Sequence, residues 1–153
     1  MSKIVLLISL PGGGKTYLAN KDYVPQDYIL IDDPVQCDSH KVKNLDQSKN
    51  YVITDPWLCH PTIRSMAEDI LTKQNFEIEC IYFENNIEKC INNIKYRNDG
   101  RNINNFNIFG YKIPDGAAVR TIWSPDADTD IGFYNIQDNH YGDDNNLYGH
   151  PDD

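Results

Sequence analysis

The sequence predicts an α/β domain, a mainly parallel sheet of four or five strands flanked by helices. Three observations predict it. Short apolar runs alternate with segments of helical spacing, the pattern of strands buried between crossover helices. A glycine-rich turn, Pro11-Gly12-Gly13-Gly14, joins the first apolar run to the first helix-compatible segment. Two later runs end in aspartate and then proline, at Asp32-Asp33-Pro34 and Asp55-Pro56. That places carboxylates at strand ends, the edge at which open α/β sheets bind ligands.

The first strand is the run Ile4 to Ile8. The segment Ser9-Leu10-Pro11-Gly12-Gly13-Gly14-Lys15-Thr16 then has the order of a phosphate-binding P-loop. The strict pattern G-x-x-x-x-G-K-[ST] has glycine where this chain has Ser9. Glycines let backbone N–H groups converge on an anion, because no Cβ obstructs the turn. The helix that starts there adds its positive end. Pro11, Gly12, Gly13, Gly14, Lys15, Thr16 and Tyr17 are therefore the candidate nucleotide-binding residues. Lys15 would reach the β- and γ-phosphates, and the Thr16 hydroxyl would ligate Mg²⁺. A chance glycine turn is the bland alternative, and the strand before and helix after argue against it. A dinucleotide fingerprint begun at Gly12 would put Tyr17 where its last glycine belongs.

The second strand is Tyr28 to Ile31, ending at Asp32 and Asp33. Asp32 is read as a general base, with a turn or helix-cap aspartate as the alternative. Residues 36–50 are polar, a surface helix or loop. The third strand ends at Asp55, read as a Mg²⁺ ligand, direct or through water, again against a turn role. Pro61 suits the first position of a helix over residues 61–74. Its buried face would be Ile63, Met66, Ala67, Ile70 and Leu71, with Arg64 either meeting substrate or solvated. Residues 76–83, FEIECIYF, form the fourth strand. A helix over residues 86–98 turns Ile87, Cys90, Ile91 and Ile94 inward, and Gly100 stops it. Arg97 and Arg101 are candidate phosphate contacts, with stabilisation of a helix C-terminus as the alternative. Residues 102–110 read as a mobile lid or loop, and residues 117–123 as a fifth strand.

The length of 153 residues suits one domain, read as residues 1–125, with an acidic tail over 126–153. The net charge of −9 is concentrated in that tail. Residues 1–113 hold 14 Asp/Glu and 13 Lys/Arg, whereas residues 114–153 hold 9 Asp and one Arg. Such a tail repels a long polyanion, so extended nucleic-acid binding is not expected, whereas a small nucleotide in a focused pocket is tolerated. With few large apolar side chains, the tail is expected to be flexible or loosely docked. No apolar run is long enough to span a bilayer. The N-terminal run leads into Pro-Gly-Gly-Gly-Lys instead of a cleavage site. No membrane partner is expected, and the expected location is cytoplasmic, that of a host cell if the protein is viral. Cys37, Cys59, Cys80 and Cys90 lack C-x-x-C spacing and read as free thiols. A zinc site from Cys37, His40, Cys59 and His60 is disfavoured, because Cys59 and His60 are adjacent.

Taken together, the segment from Ser9 to Ala19 is similar to the loop of small P-loop kinases, whose usual form is G-x-P-G-S-G-K-S-T-x-A. Ile31-Asp32-Asp33 resembles their strand-two acidic motif. The segment TDPWLCHPTIR, from Thr54 to Arg64, resembles the D-T-N-x-N-P-x-x-R segment of bacteriophage polynucleotide 5′-kinases and their relatives. Tyr82-Phe83-Glu84-Asn85-Asn86, followed by a helix with Arg97, resembles their fourth strand and arginine-bearing lid helix. The resemblance covers about residues 1–101. It implies a P-loop NTPase fold with strand order 2-3-1-4-5. It also implies ATP-dependent transfer of the γ-phosphate, with Mg²⁺, to a nucleoside, a nucleotide or a nucleic-acid 5′-hydroxyl. By the same resemblance Asp32 takes the hydroxyl proton, and Lys15 and Thr16 hold the donor phosphates and metal. Asp55 supports the metal or orients the substrate, and Arg97 stabilises the transferring phosphoryl. Two positions depart: Val35 and Asn93 stand where the family commonly has arginine. Both departures bear on polynucleotide binding more than on nucleotide binding. The other readings are a plain NTPase, in which Asp32 orients water, and a nucleotide-binding interaction protein that works through its acidic tail.

Overall fold

The computed structural model describes residues 1–32, 42–97 and 109–123. Asp33, Val35, Cys37, His40, Gly100, Arg101 and the acidic tail lie outside the described residues. Five strands form one sheet: β1 (Lys3–Ile8), β2 (Tyr28–Asp32), β3 (Asn50–Thr54), β4 (Glu77–Phe83) and β5 (Val119–Arg120). Their order is β2-β3-β1-β4-β5, and every pairing is parallel. The expected order 2-3-1-4-5 and the α/β class both hold, in a P-loop NTPase-like arrangement.

The position of each strand follows from its side chains. β1 is apolar from Ile4 to Ile8 and buried throughout that run, as a central parallel strand covered on both faces must be. β2, at one edge, alternates between half-buried and exposed residues, so its solvent side keeps Ile29 exposed. β5, at the other edge, has only two residues, paired with Tyr82 and Phe83. The expected fifth strand over residues 117–123 is thus shortened. β4 ends at Phe83, and beyond it Ile122 N–H is satisfied by the Glu84 carboxylate instead of a ladder carbonyl, at 3.1 Å.

The helices also differ from a simple reading in places. α1 (Lys15–Leu18) is a single α turn that runs on through a π turn (Ala19–Tyr23) and a 3₁₀ turn (Val24–Gln26). α2 (Pro61–Lys73) begins at Pro61, as expected. Its buried residues are Arg64, Ala67 and Leu71, while Ile63 and Ile70 pack at the margin. Met66, expected inward, is exposed. The 3–4 spacing admits a broad stripe, and Arg64 occupies the centre of it in place of Met66. α3 (Ile87–Arg97) buries Cys90, Asn93 and Ile94, with Ile91 partly buried. Ile87, expected inward, lies at the helix start and is exposed. Among the described residues no helix is long and apolar enough to cross a membrane.

Candidate functional site

The loop after β1 is built by two glycines in left-handed conformation, Gly12 (φ 89°) and Gly14 (φ 95°), on either side of Gly13. This alternation gathers successive N–H groups into an anion-binding concavity. Gly12 is doubly constrained, since a Cβ there would lie 2.5 Å from the Cys90 carbonyl oxygen. The loop therefore rests directly on the backbone of α3. The Gly13 N–H donates to the Leu10 carbonyl at 3.2 Å, and Leu18 N–H to that of Gly14 at 3.0 Å.

Lys15 is fully buried, with Nζ 3.5 Å from the Leu10 carbonyl oxygen. Its side chain thus folds back along the loop. Pro11 is half-buried at the loop's turn. Tyr17 is buried in the core cluster, so its ring packs inward and its backbone is what the loop presents.

The structure brings Asp32 and Thr16 together. Asp32 ends β2 opposite Thr54 in the parallel register. The Thr16 hydroxyl lies 3.4 Å from Asp32 Oδ1, and the buried Thr54 hydroxyl donates to the same oxygen at 2.5 Å. The carboxylate is thereby aimed at the start of α1, not at solvent alone. Thr54 was not singled out from the sequence as a site residue. Its signal was register, because a residue one strand over from Asp32 must sit beside it.

Asp55 does something different. It caps the 3₁₀ turn Pro56–Cys59, accepting from Trp57 N–H at 2.9 Å. It is fully buried beside Thr54. The turn role, the alternative to metal binding, is the one its described bond serves. Arg64 is buried and not solvated. Its Nη1 donates to the Leu58 carbonyl at 3.0 Å, and the guanidinium lies 5.5 Å from the centre of the Tyr82 ring. It braces the same 3₁₀ turn while bordering a cavity with Lys112 and Asp115. Arg97 lies in the last turn of α3, half-buried.

Asn93, read from the sequence as the position of an absent arginine, is fully buried. Its Nδ2 donates to the Gly12 carbonyl at 2.7 Å and to the Trp123 carbonyl at 2.6 Å. Trp123 N–H in turn donates to the Gly13 carbonyl at 3.3 Å. Two loop carbonyls are thus held from behind by α3 and by the segment after β5. Asn93→Leu should destabilise the protein by about 1–3 kcal/mol, because two buried carbonyls lose a donor at once; urea unfolding measures it. Tyr111 performs a related task. Its hydroxyl reaches the carbonyls of Ile8, at 3.1 Å, and Phe83, at 2.5 Å, tying the ends of β1 and β4 together under the loop. Burial pushes that phenol well above its ordinary range, so it stays a donor. Nearby, Phe109 packs edge-on to Trp57, with ring centres 5.1 Å apart. Of the expected lid over residues 102–110, the part described thus ends in a docked aromatic.

Burial raises the thiols of Cys59, Cys80 and Cys90, that of Cys80 to about 11 and that of Cys90 to about 12. They are free cysteines. Among the described residues no group of three or more His, Cys, Asp or Glu could hold a metal ion. Mg²⁺ bound to a triphosphate needs no such cage, since it takes one or two protein oxygens and keeps water and phosphate for the rest. Thr16 and Asp32 offer oxygens of that kind.

The parallel sheet, the glycine loop at the end of its central strand and the Asp32 carboxylate two strands away fit a nucleotide-binding type of α/β fold. No family model matches the chain. It is 33% identical over 105 residues to an uncharacterized protein of Acanthamoeba polyphaga mimivirus, a match that spans 65% of this chain and 75% of that one. The chain belongs to the same family as that viral protein. Its fold is also similar to the crystal structure of APE1195, with a TM-score of 0.48 at 14% identity over 79% of this chain and 84% of that one. A likeness that distant carries no argument about the site.

Proposed function

We propose that this protein is an ATP-dependent phosphotransferase that moves the γ-phosphate to a hydroxyl of a nucleoside, a nucleotide or a nucleic-acid 5′ end. The observation that carries the reading is the convergence of Thr16 and Asp32, 3.4 Å apart, beside a glycine loop with a buried lysine. Phosphoryl transfer asks a protein mainly to position and to stabilise charge. The loop amides and Lys15 would hold the β- and γ-phosphates. Mg²⁺, held by Thr16 with Asp32 or Asp55, would neutralise the phosphate oxygens. Asp32 would accept the proton of the attacking hydroxyl, and Arg97 and Arg101 would contact the phosphates from the α3 side.

The plain NTPase reading fits one specific observation equally well. Asp32 Oδ1 already accepts from Thr54, which leaves Oδ2 to orient either a hydroxyl or a water. Incubation with γ-labelled ATP and a panel of nucleosides, nucleotides and 5′-hydroxyl oligonucleotides tests the proposal. Label is expected on one acceptor class. Release of free phosphate alone, whatever the acceptor, would establish the NTPase, and neither result would leave a binding protein.

A further inference from the structure

Arg64 carries donors that the protein does not use. It is buried near the start of α2, and its Nη1 donates to the carbonyls of Leu58, at 3.0 Å, and Cys59, at 3.4 Å. Its Nε lies 3.9 Å from the Glu68 carboxylate, an ion pair beyond hydrogen-bond reach. Among the described residues Nη2 has no hydrogen-bond partner. A guanidinium donates from Nε and from both terminal nitrogens, and burying one with donors unmet is costly. Arg64 also lines a cavity of about 290 Å³, together with Pro61, Lys112, Ile113, Pro114 and Asp115. Lys112 and Asp115 are exposed at its mouth.

The cavity is assembled at the edge where the strands end. Pro61 opens α2 just after the turn that follows β3. Lys112 follows Tyr111, whose hydroxyl bonds the carbonyls at the ends of β1 and β4. A Cβ on Gly110 would meet Pro61 Cδ at 3.9 Å, so this segment lies against the helix start. No side chain caps α2, and its first turn holds no acid, so the positive helix end is not offset there. Among the lining residues, two cations face one carboxylate. We propose that this cavity is an oxyanion site that takes the phosphate of a small hydroxylated phosphate ester. It shares no lining residue with the glycine loop. The free guanidinium edge suits phosphate oxygens, Lys112 adds a second positive charge, and Asp115 accepts from a hydroxyl on the rest of the ligand. At the small end of ligand cavities, the volume suits a phosphate with one sugar. The site itself stands on this geometry alone. Its role in turnover rests on the phosphotransferase reading above: there the ester is the acceptor, and a nucleotide is preferred to its nucleoside.

The test titrates inorganic phosphate, adenosine, 3′-AMP and 5′-AMP calorimetrically into the full chain and into Lys15→Met, Lys112→Glu and Arg64→Met. Lys15→Met removes the loop's cation and leaves the cavity intact, so phosphate and one of the two nucleotides should still bind. Lys112→Glu reverses an exposed charge. It should melt as the wild type does, yet bind about three- to tenfold more weakly. Arg64→Met should bind more weakly still, and also melt lower, because two carbonyls lose their donor. If it does not fold, Lys112→Glu decides. Adenosine should bind at least about tenfold more weakly than the better nucleotide. Binding that Lys15→Met abolishes, or that Lys112→Glu leaves unchanged, overturns the site. The role in turnover is read from KM, which Lys112→Glu should raise for the nucleotide acceptor with kcat nearly unchanged. Binding in the cavity without any phosphoryl transfer would keep the site and reject the phosphotransferase. Transfer to adenosine as readily as to either nucleotide would keep the enzyme and reject the phosphorylated acceptor.

Discussion

Lys15→Met is expected to lower ATP turnover by about 10²–10³-fold, the usual effect of removing one preorganised group that meets developing charge. Methionine keeps most of the stem and drops the ammonium. That choice matters here because Lys15 is fully buried at the start of α1, where Lys15→Ala would also open a cavity. Calorimetry with Mg-ATP and an unfolding curve separate the two effects. Lower affinity with near-normal stability is the expected outcome for Lys15→Met. Unchanged affinity would reject the phosphate-loop assignment.

Asp32→Asn is expected to slow phosphoryl transfer by about 10²–10⁴-fold, the range for a positioned general base. The amide retains an oxygen able to accept from Thr16 and Thr54, so the strand end should keep its shape and ATP should still bind. Single-turnover kinetics with a saturating acceptor read the loss directly. Asp33→Asn, at a position outside the described residues, is the internal control and should cost much less if Asp32 is the base. Damage from the Asp33 change instead would move the base by one residue. A changed Mg²⁺ dependence with normal turnover for both would assign the pair to the metal.

The parts of the fold that local chemistry specifies were legible in the sequence. Buried parallel strands are continuous apolar runs, and Ile4 to Ile8 can hardly be anything else once a glycine turn follows. Pro61 marks the start of α2 because its missing N–H costs nothing there. Tertiary choices were not legible. Asp55 can cap a turn or bind a metal with the same residues around it, and the bond that one of its oxygens accepts from Trp57 N–H could not be read from the spacing. Arg64 looks like a surface cation in a helix pattern, yet it packs over Tyr82. Asn93 carried no positive signal, since its partners, the carbonyls of Gly12 and Trp123, lie far away in the chain. The strand order came from resemblance, not from periodicity, which is silent on which strands are neighbours.

The clamp behind the loop has a consequence for synthesis. The loop leaves the ribosome early, but the groups that hold it, the Asn93 amide and the Trp123 N–H, emerge late. At about 5–20 residues per second the glycines wait on the order of ten seconds for them. For the first part of that interval, until β4 (Glu77–Phe83) has emerged, β1 has no partner on that side, and its apolar surface is open to chaperones and to other nascent chains. On the proposed reading, competence for nucleotide would arrive as one of the last events of folding, because long-range closure must precede it. A ribosome-stalled chain ending before Trp123 should be a poor nucleotide binder even with its whole phosphate motif already outside the exit tunnel.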